Sequence, residues 1–272
     1  LDAFDNLVSD NDWTEALLAA LATKMSVAVK WRMAPRDLRP NVIVLAKDQH
    51  ITGAGDGCHF RLKSTGVMVT TDRSSGAAIR GLTLEGPGEI RPISQSYLEC
   101  GVRARNVVGL SVEQCKFVAW AGSSIFIQNG TDCRLIGNTF REARCVASPD
   151  GPFGTSDITL WGSSVRCIAA ENTCVSGASY GIVLQTVNGA AQAAVGNVIR
   201  DNVIEDAKNY AILVYNINSR EHRIDDTKVT GNICRRIYGH YRNPATGKQD
   251  FGAGIYILQA EGTEVSGNTV IS

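Results

Sequence analysis

Ile136-Gly137-Asn138-Thr139-Phe140 is the first clear copy of a five-residue motif that recurs through the second half of the chain. The later copies are Ala-Glu-Asn-Thr-Cys (170–174), Arg-Asp-Asn-Val-Ile (200–204), Thr-Gly-Asn-Ile-Cys (230–234) and Ser-Gly-Asn-Thr-Val (266–270). In this Asn motif a glycine or an acidic residue precedes the asparagine, and an apolar residue stands two places after it. The asparagines are separated by 34, 30, 30 and 36 residues. A constant motif at uneven steps predicts one coil per repeat, with loops of variable length between coils.

A short apolar segment follows each of the first four Asn motifs. These segments are Ser-Asp-Ile-Thr-Leu-Trp (156–161), Tyr-Gly-Ile-Val-Leu-Gln (180–185), Tyr-Ala-Ile-Leu-Val-Tyr (210–215) and Ala-Gly-Ile-Tyr-Ile-Leu-Gln (253–259). Each is β-branched or aromatic and is bounded by turn residues, which is typical of a strand. No helical pattern separates the strands, so alternating strand–helix units are not predicted. No persistent leucine frame is present either, which disfavours leucine-rich repeats.

The asparagine has a physical role in such a stack. Equivalent residues of neighbouring coils lie about 4.8 Å apart, and an amide side chain both donates and accepts hydrogen bonds. A column of asparagines can therefore bond along the stack and satisfy the turn backbone, so we expect these residues to be structural. If Phe117 matches Phe140, then Cys115 takes the asparagine position one coil earlier.

The repeats resemble those of the pectate-lyase-like right-handed parallel β-helix superfamily. Residues 9–21, Ser-Asp-Asn-Asp-Trp-Thr-Glu-Ala-Leu-Leu-Ala-Ala-Leu, are similar to the helix that opens many of these proteins, phage tailspikes among them. Asp12 or Asp10 is the expected N-cap of this helix. The resemblance implies an all-β fold, a single-stranded right-handed parallel β-helix (solenoid) with an N-terminal capping α-helix. We expect residues 1–49 to form the capping helix and a lead-in strand, and residues 50–272 to form the coils.

Composition narrows the class of protein. Lys plus Arg and Asp plus Glu number 27 each, so charge favours neither a nucleic acid partner nor a membrane surface. No apolar run is long enough for membrane insertion. The eight cysteines form no zinc-binding pattern, and we expect buried free thiols. The chain begins at Leu1 and stops just after a strand, so we expect further sequence or a partner to cover the last coil. Neither terminus indicates localisation.

In enzymes of the resembling superfamily, the strand after the Asn motif carries the active site on its outer side. Carboxylates, tyrosines and one long cationic insertion, residues 235–250, lie there. The predicted catalytic residues are Asp157, Asp206, His240, Tyr241 and Asp250. The predicted substrate-binding residues are Tyr180, Tyr210, Tyr215, Arg236, Tyr238, Arg242 and Lys248.

Two chemistries stay open for these residues. Carboxylates on adjacent coils approach the separation of the two catalytic carboxyl groups in retaining glycosidases. Carboxylates two coils apart approach the wider separation in inverting glycosidases, so this pattern predicts a hydrolase. Alternatively, His240 or Tyr241 removes a sugar C5 proton while Arg236, Arg242 and Lys248 neutralise a uronate, which predicts a lyase or an epimerase. The motifs of polygalacturonases are absent at the matching places. No cofactor is expected, although Asp157, Glu205, Asp206 and Asp250 are oxygen ligands of the type that calcium takes.

We therefore predict a carbohydrate-active enzyme that cleaves or epimerises an acidic or capsular polysaccharide in the outer groove. The alternative is a glycan-binding fibre segment of the tailspike or adhesin kind, without catalysis, and a third reading is an assembly scaffold. The expected partner is a polysaccharide or oligosaccharide, and the expected assembly is a monomer or a homotrimer. The superfamily resemblance implies an extracellular, periplasmic or virion-associated localisation.

Overall fold

A computed structural model describes residues 1–23, 26–55, 57–88, 91–92, 98–146, 155–186, 192–216, 223–238 and 252–271. A 3₁₀ helix, Asp2–Leu7, and one α-helix, α1 (Thr14–Thr23), precede the strands. Almost every later element of the described chain is a short strand in a parallel sheet. The chain visits three long sheets in a fixed order, I, II and III, and so winds as a right-handed parallel β-helix.

The strands are numbered in chain order, and each sheet stacks one strand from each coil. Sheet I holds β1 (Ser26–Ala28), β4 (His50–Thr52), β7 (Ala78–Arg80), β11 (Ser111–Glu113), β14 (Arg134–Ile136), β18 (Ile168–Ala170), β22 (Val198–Arg200), β26 (Lys228–Thr230) and β30 (Glu264–Ser266). Sheet II holds β2 (Arg36–Leu38), β5 (His59–Leu62), β8 (Thr83–Glu85), β12 (Lys116–Val118), β15 (Thr139–Arg141), β19 (Thr173–Val175), β23 (Val203–Glu205), β27 (Ile233–Arg235) and β31 (Thr269–Ile271).

Sheet III carries the longest strands and follows sheet II in each coil. Its strands are β3 (Ile43–Val44), β6 (Val67–Asp72), β10 (Cys100–Arg105), β13 (Ile125–Gln128), β17 (Ser156–Trp161), β20 (Tyr180–Thr186), β24 (Tyr210–Asn216) and β28 (Ala253–Leu258). Two small sheets lie at the corners. One pairs β9 (Arg91–Pro92) with β16 (Cys145–Val146), and the other joins β21 (Ala194–Val195), β25 (Ile224–Asp225) and β29 (Ala260–Glu261).

The corner between sheets I and II holds the predicted asparagine column. Each asparagine donates its side-chain amide to the next one, from Asn138 through Asn172, Asn202 and Asn232 to Asn268, at 2.9 to 3.1 Å. The Cys115 backbone N–H donates to Asn138 Oδ1 at 3.0 Å, which confirms that Cys115 takes the asparagine position one coil earlier. The residue before each asparagine from 138 onward adopts a positive φ, which explains why the motif carries glycine or a short polar or acidic residue there.

The interior of the coils is a narrow apolar column. Phe117 and Phe140, in register on β12 and β15, stack with ring centroids 5.1 Å apart. Seven cysteines are free and buried, as expected, and the side chain of Cys145 lies outside the described part. Burial raises the pKa of the Cys115 thiol to about 12, so this thiol stays protonated and packs as a small apolar group.

Helix α1 closes the N-terminal end of the stack, against β1 and β3. Its Leu17 and Leu21 are buried in the main core together with Trp13 just before the helix. The Asp12 carboxylate accepts a hydrogen bond from the Thr14 N–H at 2.9 Å, so of the two expected capping residues Asp12 is the one used. In the described residues, none of the helices combines the length and apolar character needed to cross a membrane.

Candidate functional site

Three tyrosines form a stacked row on the outer face of sheet III. Tyr180 and Tyr210 are in register on β20 and β24, with rings nearly parallel and centroids 6.0 Å apart. Tyr256 on β28 continues the row, 5.0 Å from Tyr210. Tyr256 is 37% exposed and the other two are half-buried. We call Tyr180, Tyr210 and Tyr256 the aromatic platform.

Strand register explains why Tyr180 and Tyr210 stack. Parallel in-register strands place equivalent side chains one strand spacing apart, which is close to the separation that aromatic rings favour. Tyr180 and Tyr210 open the matching segments 180–185 and 210–215, and this geometry brings their rings together. Tyr256 was not among the predicted site residues. Its signal lay in the alignment of Ala253-Gly254-Ile255-Tyr256 with Tyr210-Ala211-Ile212-Leu213, which sets Tyr256 at an outward position.

A second aromatic pair lies on the same outer face, in earlier coils. Phe126 and Trp161 have ring centroids 5.9 Å apart. Trp161 is in register with Gln185 and then Tyr215, both half-buried, so polar and aromatic side chains alternate along this row. Phe126 packs in a small separate cluster with Val67 and Cys100 and is only 3% exposed. The outer face of sheet III is therefore more apolar than an ordinary solvated sheet face.

An ion-pair network occupies the corner between sheets II and III beside the platform. Arg236 donates to both oxygens of Asp206, at 2.7 and 3.0 Å, and to Glu205 at 2.6 Å. The Tyr238 hydroxyl donates to Asp206 at 3.1 Å. The Arg236 guanidinium lowers the pKa of Asp206, and the two carboxylates raise the pKa of Arg236. Asp206, Arg236 and Tyr238 thus lie together, but their polar groups are engaged with one another, since Arg236 and Tyr238 both donate hydrogen bonds to Asp206.

Asp157 does not lie on the outer face where the sequence pattern put it. Its side chain is 3% exposed and accepts hydrogen bonds from Ser176 and Cys174, and desolvation raises its pKa to about 7. Register aligns residue 157 with Gly181, whose added Cβ would meet Ile204 inside the coil at 2.6 Å. Asp157 and Ile158 are both buried, so two consecutive residues face inward and the usual alternation fails here. The expected outer pair of Asp157 with Asp206 is absent, since the two carboxylates lie on opposite sides of the coil wall.

The remaining predicted residues, His240, Tyr241, Arg242, Lys248 and Asp250, lie outside the described residues. The insertion that carries them leaves sheet II after Arg235 and returns at Ala253, which is in register with Tyr210. The end of the insertion at Ala253 thus lies beside the platform. Within the described ranges, no three His, Cys, Asp or Glu side chains are grouped so as to hold a metal ion.

The fold of this chain matches a known family and resembles solved structures. Residues 65–270 match the family model described as right-handed beta helix region. No curated protein sequence matches the chain. A solved structure of the Streptococcus pneumoniae surface protein and adhesin PfbA is similar at 9% identity and a TM-score of 0.63, over 90% of this chain and 72% of that one.

A mutant tailspike protein of E. coli bacteriophage HK620, solved in complex with a pentasaccharide, is also similar. Its TM-score is 0.61 at 12% identity, over 94% of this chain and 52% of the tailspike chain. This chain thus spans about half the length of the tailspike. At such low identity both likenesses show the fold alone.

Proposed function

Because the chain belongs to the right-handed β-helix family, we propose that it binds an extended polysaccharide along the outer face of sheet III. The observation that carries the proposal is the aromatic platform, three tyrosine rings stacked across three successive coils. Sugar rings present apolar faces that pack on aromatic rings, and a tyrosine adds a hydroxyl for hydrogen bonding. A rigid solenoid holds such groups in a line, which suits a polymer.

The neighbourhood of the platform supports this proposal. Trp161, Gln185 and Tyr215 form a parallel outward row of amide and aromatic side chains, which are the groups that recognise sugar hydroxyls and sugar faces. The chain carries equal numbers of acidic and basic residues, 27 of each, so long-range attraction does not favour a nucleic acid over a glycan. The pentasaccharide-bound tailspike has the same type of fold, which agrees with a glycan partner.

Tyr210 is the residue with which to test the platform, since it touches both of the other rings. The protein is titrated with a panel of uronate-containing and capsular polysaccharides, and affinity is measured by calorimetry. We expect Tyr210→Ala to weaken binding at least tenfold, which is about 1.4 kcal/mol. The matched control Tyr210→Phe keeps the ring and stays within about threefold, since stacking is preserved. Failure of the whole panel to bind, or equal affinity for the alanine variant, contradicts the proposal.

Cleavage or epimerisation of the bound glycan is a second proposal, favoured by the position of the long insertion. The insertion rejoins sheet III at Ala253, in register with the platform residue Tyr210 and so next to the proposed glycan site. His240, Tyr241 and Asp250 are its proposed acid and base groups, with Arg242 and Lys248 as uronate binders. Release of reducing ends together with absorbance of unsaturated products indicates a lyase, and release of reducing ends without that absorbance indicates a hydrolase. Product release that survives both His240→Ala and Asp250→Ala would exclude these two groups.

We also propose that the protein is located outside the cell or on a virion. Its proposed assembly is either a monomer or a homotrimer. The similar structures are a surface adhesin and a phage tailspike. Light scattering measures the assembly directly, against a chain mass of 29.2 kDa. Three times that mass favours the binding fibre, and a single chain mass favours a free-standing enzyme.

A further inference from the structure

A cleft of about 360 Å³ opens on the outer face of sheet II, a different sheet from that of the platform. None of the residues proposed above to bind the polysaccharide lines this cleft. The inward residues of this sheet, Phe60, Leu84 and Phe117, are fully buried in the core, and the cleft is formed by the residues that alternate with them. Its main lining residues are His59, Thr83, Glu85, Lys116, Val118 and Arg141.

Two outward columns meet in the cleft. Register places His59, Thr83 and Lys116 in one column on β5, β8 and β12. The neighbouring column, two residues along each strand, runs from Glu85 through Val118 to Arg141 on β8, β12 and β15. Neighbours in a column are about 4.8 Å apart and the columns about 6–7 Å apart, so all six side chains border one small volume.

The acidic groups of the cleft are already engaged. Glu85 lies 2.8 Å from His59 Nε2, and Glu142 at the rim lies 3.0 Å from Arg144. Burial lowers the pKa of His59, against the opposing pull of Glu85. By contrast, no carboxylate of the described residues lies within ion-pair distance of Arg141. The cleft therefore offers an uncommitted guanidinium near the Lys116 ammonium.

We propose that this cleft is a second ligand site, which binds a single carboxylate-bearing sugar residue. Arg141 and Lys116 hold the carboxylate, and a guanidinium matches the two oxygens of such a group. The Thr83 hydroxyl, the His59 ring and the Glu85 carboxylate bond the sugar hydroxyls, and Val118 contacts the apolar ring face. The volume lies at the lower end of the range for small-molecule sites and suits one sugar unit.

The four histidines of the chain make the imidazole of His59 a practical probe. Histidine-labelled protein is titrated with glucuronate, glucose, acetate and sulfate at constant ionic strength, and the His59 resonances are followed by NMR. We expect a saturable shift with glucuronate and at least tenfold weaker binding of glucose, which lacks the carboxylate, and of acetate, which lacks the hydroxyls. Arg141→Ala weakens glucuronate binding at least tenfold. The matched control is Arg166→Ala, which removes an exposed arginine that pairs with Asp132 elsewhere, and it leaves glucuronate affinity unchanged.

Several results overturn this site. They are the absence of a saturable His59 shift with glucuronate, equal binding of acetate or sulfate, and full affinity in Arg141→Ala with an unchanged amide spectrum. The platform is tested separately, because Tyr210→Ala leaves the His59 response to glucuronate intact. Loss of polysaccharide binding in that variant together with a normal His59 response supports two independent sites.

Discussion

At the scale of single residues, the side-chain amide of each repeat's asparagine donates and accepts hydrogen bonds as a backbone amide does. Asn202 accepts from both the N–H and the side-chain amide of Asn172, at 3.0 and 2.9 Å. Its own amide donates to the Ala169 carbonyl and to Asn232, at 3.0 and 2.9 Å. All four bonds are buried, so water cannot replace them, and a buried unpaired polar group costs about 1–3 kcal/mol.

We predict that Asn202→Ala lowers the free energy of unfolding by about 3–5 kcal/mol, because several buried partners lose their bonds at once. Urea unfolding followed by circular dichroism measures the change. Asn268→Ala is the matched control, since Asn268 holds the same corner position but is only partly buried. The loss of unfolding free energy in Asn268→Ala should be less than half of that in Asn202→Ala. Equal losses at the two positions would show that burial of the ladder is not the source of its stability.

The buried Asp157 carboxyl predicts a particular pH dependence. Its pKa is about 7 in the folded protein against the usual 3.8, because burial disfavours the charged form. Between these two values the unfolded chain has released the proton and the folded chain retains it. Stability therefore falls by about 1.4 kcal/mol per pH unit as pH rises toward 7, and the loss is complete above it.

Asp157→Asn removes this titration. The difference in unfolding free energy between the native protein and this variant should shift by about 1.4 kcal/mol per unit between pH 5 and pH 6.5, to the variant's advantage at higher pH. Urea titrations at four pH values measure it, and other titrating groups cancel in the difference. A difference that stays flat with pH would show that Asp157 is ionised in the fold.

At the scale of elements, the strands of sheet III decide what the outer groove contains. Alternation along a strand predicts which side chain points out, and it holds for Tyr256 and Trp161. It fails at Asp157, where two consecutive residues, Asp157 and Ile158, are buried. A carboxylate predicted for catalysis thus became an interior group, while Tyr256 joined the platform. The corner network of Asp206 with Arg236 could not be read from sequence either, because both lie in turns whose direction depends on the next coil.

Helix α1 is the other decisive element, since it covers the open interior at the first coil. We predict that Leu17→Ala, which removes a fully buried side chain, lowers the unfolding free energy by about 2–5 kcal/mol. The adjacent Leu18 is only partly buried, so Leu18→Ala should cost under about 1.5 kcal/mol. Guanidinium unfolding followed by circular dichroism compares the two. Similar costs at both positions would mean that α1 does not pack on the coils through the face containing Leu17.

At the scale of the whole molecule, a solenoid holds each coil through its two neighbours only. In the described structure the interior strand β18 pairs on both sides, with β14 and β22, whereas β30 pairs only with β26. All residues of β30 and β31 are exposed. Stability should therefore vary along the stack.

We predict that amide hydrogen exchange in this chain is at least a hundredfold faster in β30 and β31 than in β18 and β19. Opening the last coil breaks one interface, whereas opening a central coil breaks two. Exchange followed by mass spectrometry on peptic fragments measures the gradient. Uniform protection from β14 to β31 would indicate that the stack opens as a single unit.

The repeat pattern alone accounts for the winding of this protein and for the column of asparagines, because both follow from units that must stack in register. It also placed Tyr180 on Tyr210, since equal positions in neighbouring coils become neighbours in space. Three features could be seen only in the folded chain. Asp157 faces the core, Asp206 is bound by Arg236, and His59, Lys116 and Arg141 border one cleft. Those outcomes depend on bends at corners and on contacts between coils of unequal length, which no local pattern encodes.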